Sequence, residues 1–111
     1  MKDFRKLKIC EKSHFLTLDL YKITNAFPKS EQYGLISQIR RAASSIPTNI
    51  TERCGRGSDV DFARFLQIAM GSSSEVEYLL ILSFELEYIK KEIFDKMILQ
   101  IIEIKKLKAD G

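Results

Sequence analysis

The run Ser37–Ser58, SQIRRAASSIPTNITERCGRGS, decides the fold. Ile39, Ala43, Ile46 and Ile50 recur at alternating steps of four, three and four, the period of one face of an α-helix. Pro47 sits inside that period. It has no amide hydrogen and its ring meets the carbonyl of Ala43, which costs about 3 kcal/mol in an ordinary helix interior. The stripe nevertheless keeps its phase through the proline, with Ile36 before it and Cys54 after it. One helix kinked at Pro47 is therefore expected, from about Glu31 to Arg53, with Ser44 or Ser45 placed to hydrogen-bond the backbone groups that the proline frees. Ser30 is its expected N-cap, with Tyr33 at the third helical position and hence no capping box. Gly55 or Gly57 supplies a left-handed C-terminal position, and Ser58 caps the next helix.

Working outward, a first helix is expected from about Leu7 to Asn25. Leu7, Cys10, His14, Leu18 and Tyr21 form its stripe, with Phe15, Leu16, Leu20 and Ile23 at the sides. Phe27-Pro28 ends it, because a residue before proline is pushed out of the α region. A third helix reads from about Asp59 to Ile89, roughly 46 Å long. Its core face is Phe62, Phe65, Leu66, Ala69, Val76, Leu79, Leu80, Ser83 and Leu86, and Lys90-Lys91 places cations at its negative pole. Folding helices two and three back about Gly57 puts Ala42 to Ser45 opposite Ala69 to Ser72. Gly71 then reads as a close-packing position. A fourth helix follows from about Lys91 or Glu92 to Lys108; Ile93, Phe94, Met97, Ile98, Ile101, Ile102 and Ile104 cover more of it than one small core needs. The fold class is all-α, an antiparallel up-down-up-down four-helix bundle forming a single domain over residues 1–111.

Composition agrees. The 111 residues are 45% hydrophobic and 30% charged, which argues against disorder, and five Gly with two Pro are too few for an all-β chain of many tight turns. No run reaches the ~18 apolar residues of a membrane span, and the N-terminal MKDFRKLKICEK lacks the apolar core of a signal peptide. Cys10 and Cys54 have no metal spacing and read as reduced, buried thiols, so a cytoplasmic location is expected. The net charge of +3 is unevenly divided. Residues 1–29 carry a net +4, residues 30–57 a net +2, residues 58–89 a net −5 and residues 90–111 a net +2, so an acidic third helix sits in a basic molecule.

No constellation of residues points to catalysis. His14 lies on an apolar stripe and reads as a packed histidine rather than a ligand. The two Glu-x-x-His pairs of a di-iron bundle are absent, so Glu75, Glu77, Glu85 and Glu87 read as a solvated or salt-bridged face. Ser72–Ser74 have no base placed beside them, and CGRGS lacks the strand and lysine of a phosphate-binding loop. The expectation is a protein that is not an enzyme and needs no cofactor or metal. The polar strip of helix two, Arg41, Ser45, Asn49, Glu52 and Arg56, admits two readings. It is either a salt-bridged surface, with Glu52 and Arg56 an i,i+4 pair, or a contact to a subunit or a phosphate backbone, for which Arg40, Arg41, Arg53 and Arg56 suit by geometry and permanent charge.

Residues 28–80 also closely resemble the bacterial 23S rRNA intervening sequence proteins. The matching residues are Pro28, Glu31, Tyr33-Gly34-Leu35, Gln38 to Ala43, Ser45-Ile46-Pro47, Asn49-Ile50, Glu52, Gly55-Arg56, Phe62, Phe65-Leu66, Ile68-Ala69 and Gly71-Ser72. The resemblance implies a four-helix bundle assembling as a homopentamer. Relatives act as accessory proteins of diversity-generating retroelements, where a barrel-shaped pentamer engages nucleic acid and a reverse transcriptase. It makes Pro47, Asn49, Glu52, Gly55 and Gly71 motif positions. Thr51-Glu52-Arg53 departs from the family's Ala-Glu-Gly, and Ser73-Ser74 replace a more apolar position.

The expected function is thus an oligomeric protein that binds RNA or DNA without base readout, through Lys8, Lys12, Arg40, Arg41, Arg53 and Arg56. The alternative is a protein-interaction scaffold whose acidic third helix docks a protein partner. Broad apolar arcs on helices one and four motivate the homo-oligomer independently of the resemblance.

Overall fold

The computed structural model describes residues 8–56 and 59–107, with side chains over 8–52 and 63–107. The expectations for Leu7, for the side chains of Arg53, Cys54, Arg56 and Phe62, and for the turn at Gly57-Ser58 lie outside these residues. Four α-helices make up the described chain: α1 Lys8–Thr24, α2 Leu35–Arg56, α3 Asp59–Glu85 and α4 Lys91–Leu107. A single 3₁₀ turn, Lys29–Glu31, precedes α2. Each of α1 and α3 packs on both α2 and α4. Rising numbers along α1 meet falling numbers along α2, through Cys10 with Thr51, Thr17 with Ala43 and Thr24 with Arg40. The same reversal relates α1 to α4, through Lys12 with Glu103 and Asp19 with Gln100, and α3 to α4, through Glu77 with Lys105 and Phe84 with Phe94. The bundle measures 42 × 25 × 19 Å. Among the described residues no helix is long and apolar enough to cross a membrane.

The core is one cluster running the length of the bundle: Ile9, Leu16 and Leu20 of α1, Ile39, Ile46 and Ile50 of α2, Val76 and Leu80 of α3, and Met97, Ile101 and Ile104 of α4. The α2 stripe is therefore as its period requires. The stripe of α1 is not. Its buried face is Ile9, Cys10, Ser13, Leu16, Leu20 and Thr24, while His14, Leu18 and Tyr21 face outward. Both arcs have helical spacing, and hydroxyls decide between them. Ser13 donates to the Cys10 carbonyl at 3.1 Å and Thr24 to that of Leu20 at 2.7 Å, so neither leaves a polar group unpaired when buried. In α3, Ser73 and Ser83 are buried by the same device, donating to Ala69 and Leu79.

Three boundaries differ from expectation. Helix α2 begins at Leu35 rather than Glu31, and Ser30 is not its cap. The chain first makes the 3₁₀ turn, with Glu31 N–H donating to Pro28 and Gly34 N–H to Glu31. Glu31 then caps the helix itself: its Oε1 accepts from the Leu35 amide at 3.2 Å, and its charge suits the positive helix pole. Its other oxygen accepts the Tyr88 hydroxyl at 2.9 Å, and the Tyr88 ring packs on Phe27, which ties the α1–α2 connection to the α3–α4 connection. At its far end α2 continues through Gly55 to Arg56, so Gly55 is helical rather than a left-handed cap.

Helix α3 stops at Glu85, short of Ile89 and of the lysine pair, leaving Leu86 outside the core at 45% exposure. Tyr88 N–H bonds to the Ser83 carbonyl and Glu87 N–H to that of Phe84, the paired bonds of a Schellman ending. That ending needs a left-handed residue, and Glu87 takes it at φ 67°. A side chain there costs about 1–2 kcal/mol, and a carboxylate also sits at the negative helix pole. Replacing Glu87 with Gly is expected to stabilise the fold by about 1 kcal/mol, read as a raised denaturation midpoint at unchanged slope.

The Glu31–Tyr88 bond carries a pH signature. Donation to Glu31, then burial, then the Glu31 charge hold the Tyr88 hydroxyl above its ordinary value of 10.0. Its contribution to stability is therefore complete below about pH 10 and lost as pH rises through the folded value. In Glu31→Gln the Tyr88 titration, followed by tyrosinate absorbance, is expected to shift down toward that ordinary value.

Candidate functional site

A concavity lies along the α1–α2 seam where Pro47 interrupts the helical amides. Cys10, Glu11, His14, Phe15, Pro47, Thr48 and Thr51 line a groove of about 780 Å³. Its wall on α1 is the outward arc that the sequence stripe had turned inward, with the His14 and Phe15 rings 5.8 Å apart. Pro47 cannot donate to Ala43, so that carbonyl needs a partner from elsewhere. Thr17 of α1 reaches it, sharing its one hydroxyl proton between the Ser13 carbonyl at 2.8 Å and that of Ala43 at 3.2 Å. Ser44 and Ser45 do not serve, because a helical hydroxyl reaches back three or four residues. They bond instead to Arg41 and Ala42.

On the other side of α2, Ser45 meets the Ser72 hydroxyl at 2.6 Å, and Asn49 donates to the Ser45 carbonyl at 2.7 Å. Two such short side chains touch only where backbones run close, so the small-residue seam is real. Gly71 is not its contact point. A Cβ built there meets nothing within 4 Å; the contact across the seam is Ser45 with Ser72, and Ala42, Ala43, Ala69 and Ser73 are buried on the two helices. Gly71 lies on the solvent side of the helical turn whose inward positions are Ala69 and Ser73.

The candidate basic residues separate into groups. Arg40 is built into the end of α1: it donates to Thr24 Oγ1 at 3.0 Å, the Tyr21 carbonyl at 3.2 Å and Asn25 Oδ1 at 2.9 Å, with its guanidinium 4.6 Å from the Tyr21 ring centre. Lys12 pairs with Glu103 of α4 at 2.9 Å, and this hydrogen bond raises its pKa. Lys8 and Arg41 are exposed on α1 and α2, and Glu52 is exposed on α2. Arg53 and Arg56 belong to the last turns of α2. The pairs Cys10–Thr51 and Ser45–Ser72 set a register that brings Lys8, Arg53 and Arg64 to one level of three neighbouring helices.

The acidic residues of α3 are not one open face either, since Glu77 pairs with Lys105 of α4 at 2.6 Å. Charge is thus divided by hairpin. The α1–α2 half is basic, the α3–α4 half is acidic, and Lys12–Glu103 bridges them. Among the described residues no three of His, Cys, Asp and Glu gather as a metal site.

The 23S rRNA-intervening sequence protein family matches residues 5–109. The chain belongs to that family. A solved member of the S23 ribosomal protein family from Bacteroides thetaiotaomicron, itself described as a protein of unknown function, is 30% identical with a TM-score of 0.79. The similarity covers 92% of this chain and 95% of that one. No curated protein matches.

The family motif now has a physical content in this chain. Glu31 is the α2 cap, Gly34 leaves room beside that carboxylate, Arg40 closes α1, and Pro47 opens the carbonyl that Thr17 takes up. Thr17 was not among the residues singled out from the sequence. A threonine facing a helical proline across a hairpin is the one signal that could have found it. Thr17→Val is expected to destabilise this family member by about 1–3 kcal/mol. The cost should shrink when Pro47→Ala restores the missing amide, so a double-mutant cycle by urea denaturation checks the pairing.

Proposed function

We propose that this family member is a non-enzymatic, homo-oligomeric bundle that binds nucleic acid through phosphate contacts from its α1–α2 hairpin. It would act as a ribonucleoprotein or reverse-transcriptase accessory factor. The observation that carries the reading is the division of charge between hairpins: +6 over residues 1–57 against −3 over residues 58–111. Lys8, Lys22, Lys29 and Arg41 of the basic half are exposed. Glu11 and Glu52 lie among them, so the field of one chain is modest and the expected contact is salt-sensitive and indifferent to sequence. Assembly would multiply it, because each copy repeats the same cations and linked weak sites gain avidity.

Assembly has its own support. Phe15 and Leu18 on α1 are 56% and 44% exposed, and Leu99 on α4 is 64% exposed. Phe15 also lines a small groove between α1 and α4, with Glu11, Lys12, Asp19, Gln100 and Glu103 around it. A ring of five, as the family resemblance implies, is the assembly proposed. Light scattering should return about five times the 12.8 kDa chain mass; a monomer at micromolar concentration refutes it.

Binding is tested by fluorescence anisotropy of labelled RNA across a salt series. The affinity is expected to fall with salt, and Lys8→Glu with Arg41→Glu should flatten the slope by roughly 0.7–0.9 for each phosphate no longer neutralised. A salt-independent affinity contradicts the reading. The second reading, a protein-interaction scaffold, is favoured by the apolar groove beside Pro47; it predicts a protein partner retained after nuclease treatment.

A further inference from the structure

Tyr33 is 93% exposed, more than any other large hydrophobic side chain among the described residues. The next in order, Leu99, Tyr78 and Phe15, lie on helix faces, where a neighbouring copy could cover them. Tyr33 instead stands on the turn between α1 and α2, at one end of the bundle. That turn is held firmly from below. Its amides are bonded at Glu31, Gln32 and Gly34, and both Glu31 oxygens are engaged, one by the Leu35 amide and one by the Tyr88 hydroxyl. A Cβ at Gly34 would lie 3.0 Å from Glu31 Oε1, so the residue beside Tyr33 has little room for a side chain while the carboxylate keeps its place.

At 93% exposure the Tyr33 ring buries almost nothing in the fold and presents a whole aromatic face to solvent. The surroundings indicate what would cover it. Between positions 22 and 34 the charged residues are Lys22, Lys29 and Glu31; both lysines are exposed, and the carboxylate is turned into its two hydrogen bonds. Lys29 precedes Tyr33 by one turn. The opposing connection, brought close by Tyr88, adds exposed Lys90 alongside Glu87. A flat π-face on a connection whose charged neighbours along the chain include exposed Lys22 and Lys29 fits a nucleobase with its flanking phosphates. Every base has such a face, so stacking of this kind tolerates sequence.

We infer that Tyr33 is a stacking platform for an unpaired base of single-stranded nucleic acid, with Lys29 and Lys22 on the neighbouring phosphates. The inference rests on the nucleic-acid reading above and adds a strand preference to it: a paired base inside a duplex cannot reach the ring, whereas backbone contacts alone would not distinguish the two.

The test compares wild type, Tyr33→Phe, Tyr33→Ala and Lys29→Ala on labelled poly-uridine RNA and on a duplex of the same length, with light scattering in parallel. Tyr33→Ala is expected to weaken single-strand binding at least about fivefold and leave duplex binding unchanged. Tyr33→Phe keeps the stacking face and should retain wild-type affinity, and Lys29→Ala should lower the salt slope on single strands. At 93% exposure the side chain contributes little to the core, so the variants should melt with wild type. Equal single-strand affinity for wild type and Tyr33→Ala overturns this inference and leaves the broader reading standing. Failure of wild type to bind either probe overturns both. A reduced particle mass for Tyr33→Ala also overturns it, marking the ring as a subunit contact instead.

Discussion

The structure turns on one missing hydrogen bond inside α2. Pro47 removes the amide that would satisfy Ala43, and a carbonyl left unpaired in a closely packed seam costs about 1–3 kcal/mol. The Thr17 hydroxyl of α1 meets that need across the hairpin. A local defect in one helix thereby becomes a tertiary constraint. It acts with the buried Ile9, Leu16 and Leu20 in setting the rotation of α1 about its axis, with Thr17 facing α2. With Thr17 so placed, Ser13, Leu16, Leu20 and Thr24 turn to the core, and His14, Phe15 and Leu18 turn outward.

That rotation explains which parts of the fold were legible in the sequence. The α2 stripe was, because Ile39, Ala43, Ile46 and Ile50 have no competing arc. The α1 stripe was not, because Ser13 and Thr24 count as polar in any hydropathy pattern yet are buried with their hydroxyls bonded to their own helix. Gly71 was misread for a related reason. Small residues mark close approach only on the inward side, and the inward side of α3 is set by Ala69 and Ser73 rather than by the glycine. Helix ends were missed where the cap is chemically unusual. Glu31 caps from inside a 3₁₀ turn, and Glu87 fills a left-handed position that sequence reading assigns to glycine.

The candidate site was legible as charge and illegible as geometry. The basic first half and acidic second half follow from counting residues. What each cation does depends on neighbours that counting cannot supply. Arg40, central to an Arg-Arg motif that invites a phosphate, instead holds the carbonyl end of α1 against Tyr21. Lys12 joins the two hairpins. A guanidinium with three acceptors and a ring face already satisfied gains little from a phosphate, since binding one would first cost those bonds. Lys8 and Arg41 carry no such obligation in the bonds described above, which moves the weight of any backbone contact toward them.

The same separation distinguishes the faces of the bundle from its ends. Its long faces expose apolar groups at Phe15, Leu18 and Leu99. Its ends are different in kind. There the chain must reverse within a few residues, and the reversal at Glu31–Leu35 is stiffened by a carboxylate bonded to two separate elements. Stiffness at a turn lowers the entropy lost when a ligand settles on it, so a single exposed ring can count for more there than on a mobile loop. Packing along the helices of a four-helix bundle leaves the connections uncovered, so the turn that carries Tyr33 stays accessible whatever covers the faces. The hydrogen bond from Thr17 to Ala43 bears on both regions: Thr17 faces α2 while His14, Phe15 and Leu18 face outward, and the bond ties α1 to the helix that Tyr33 leads into.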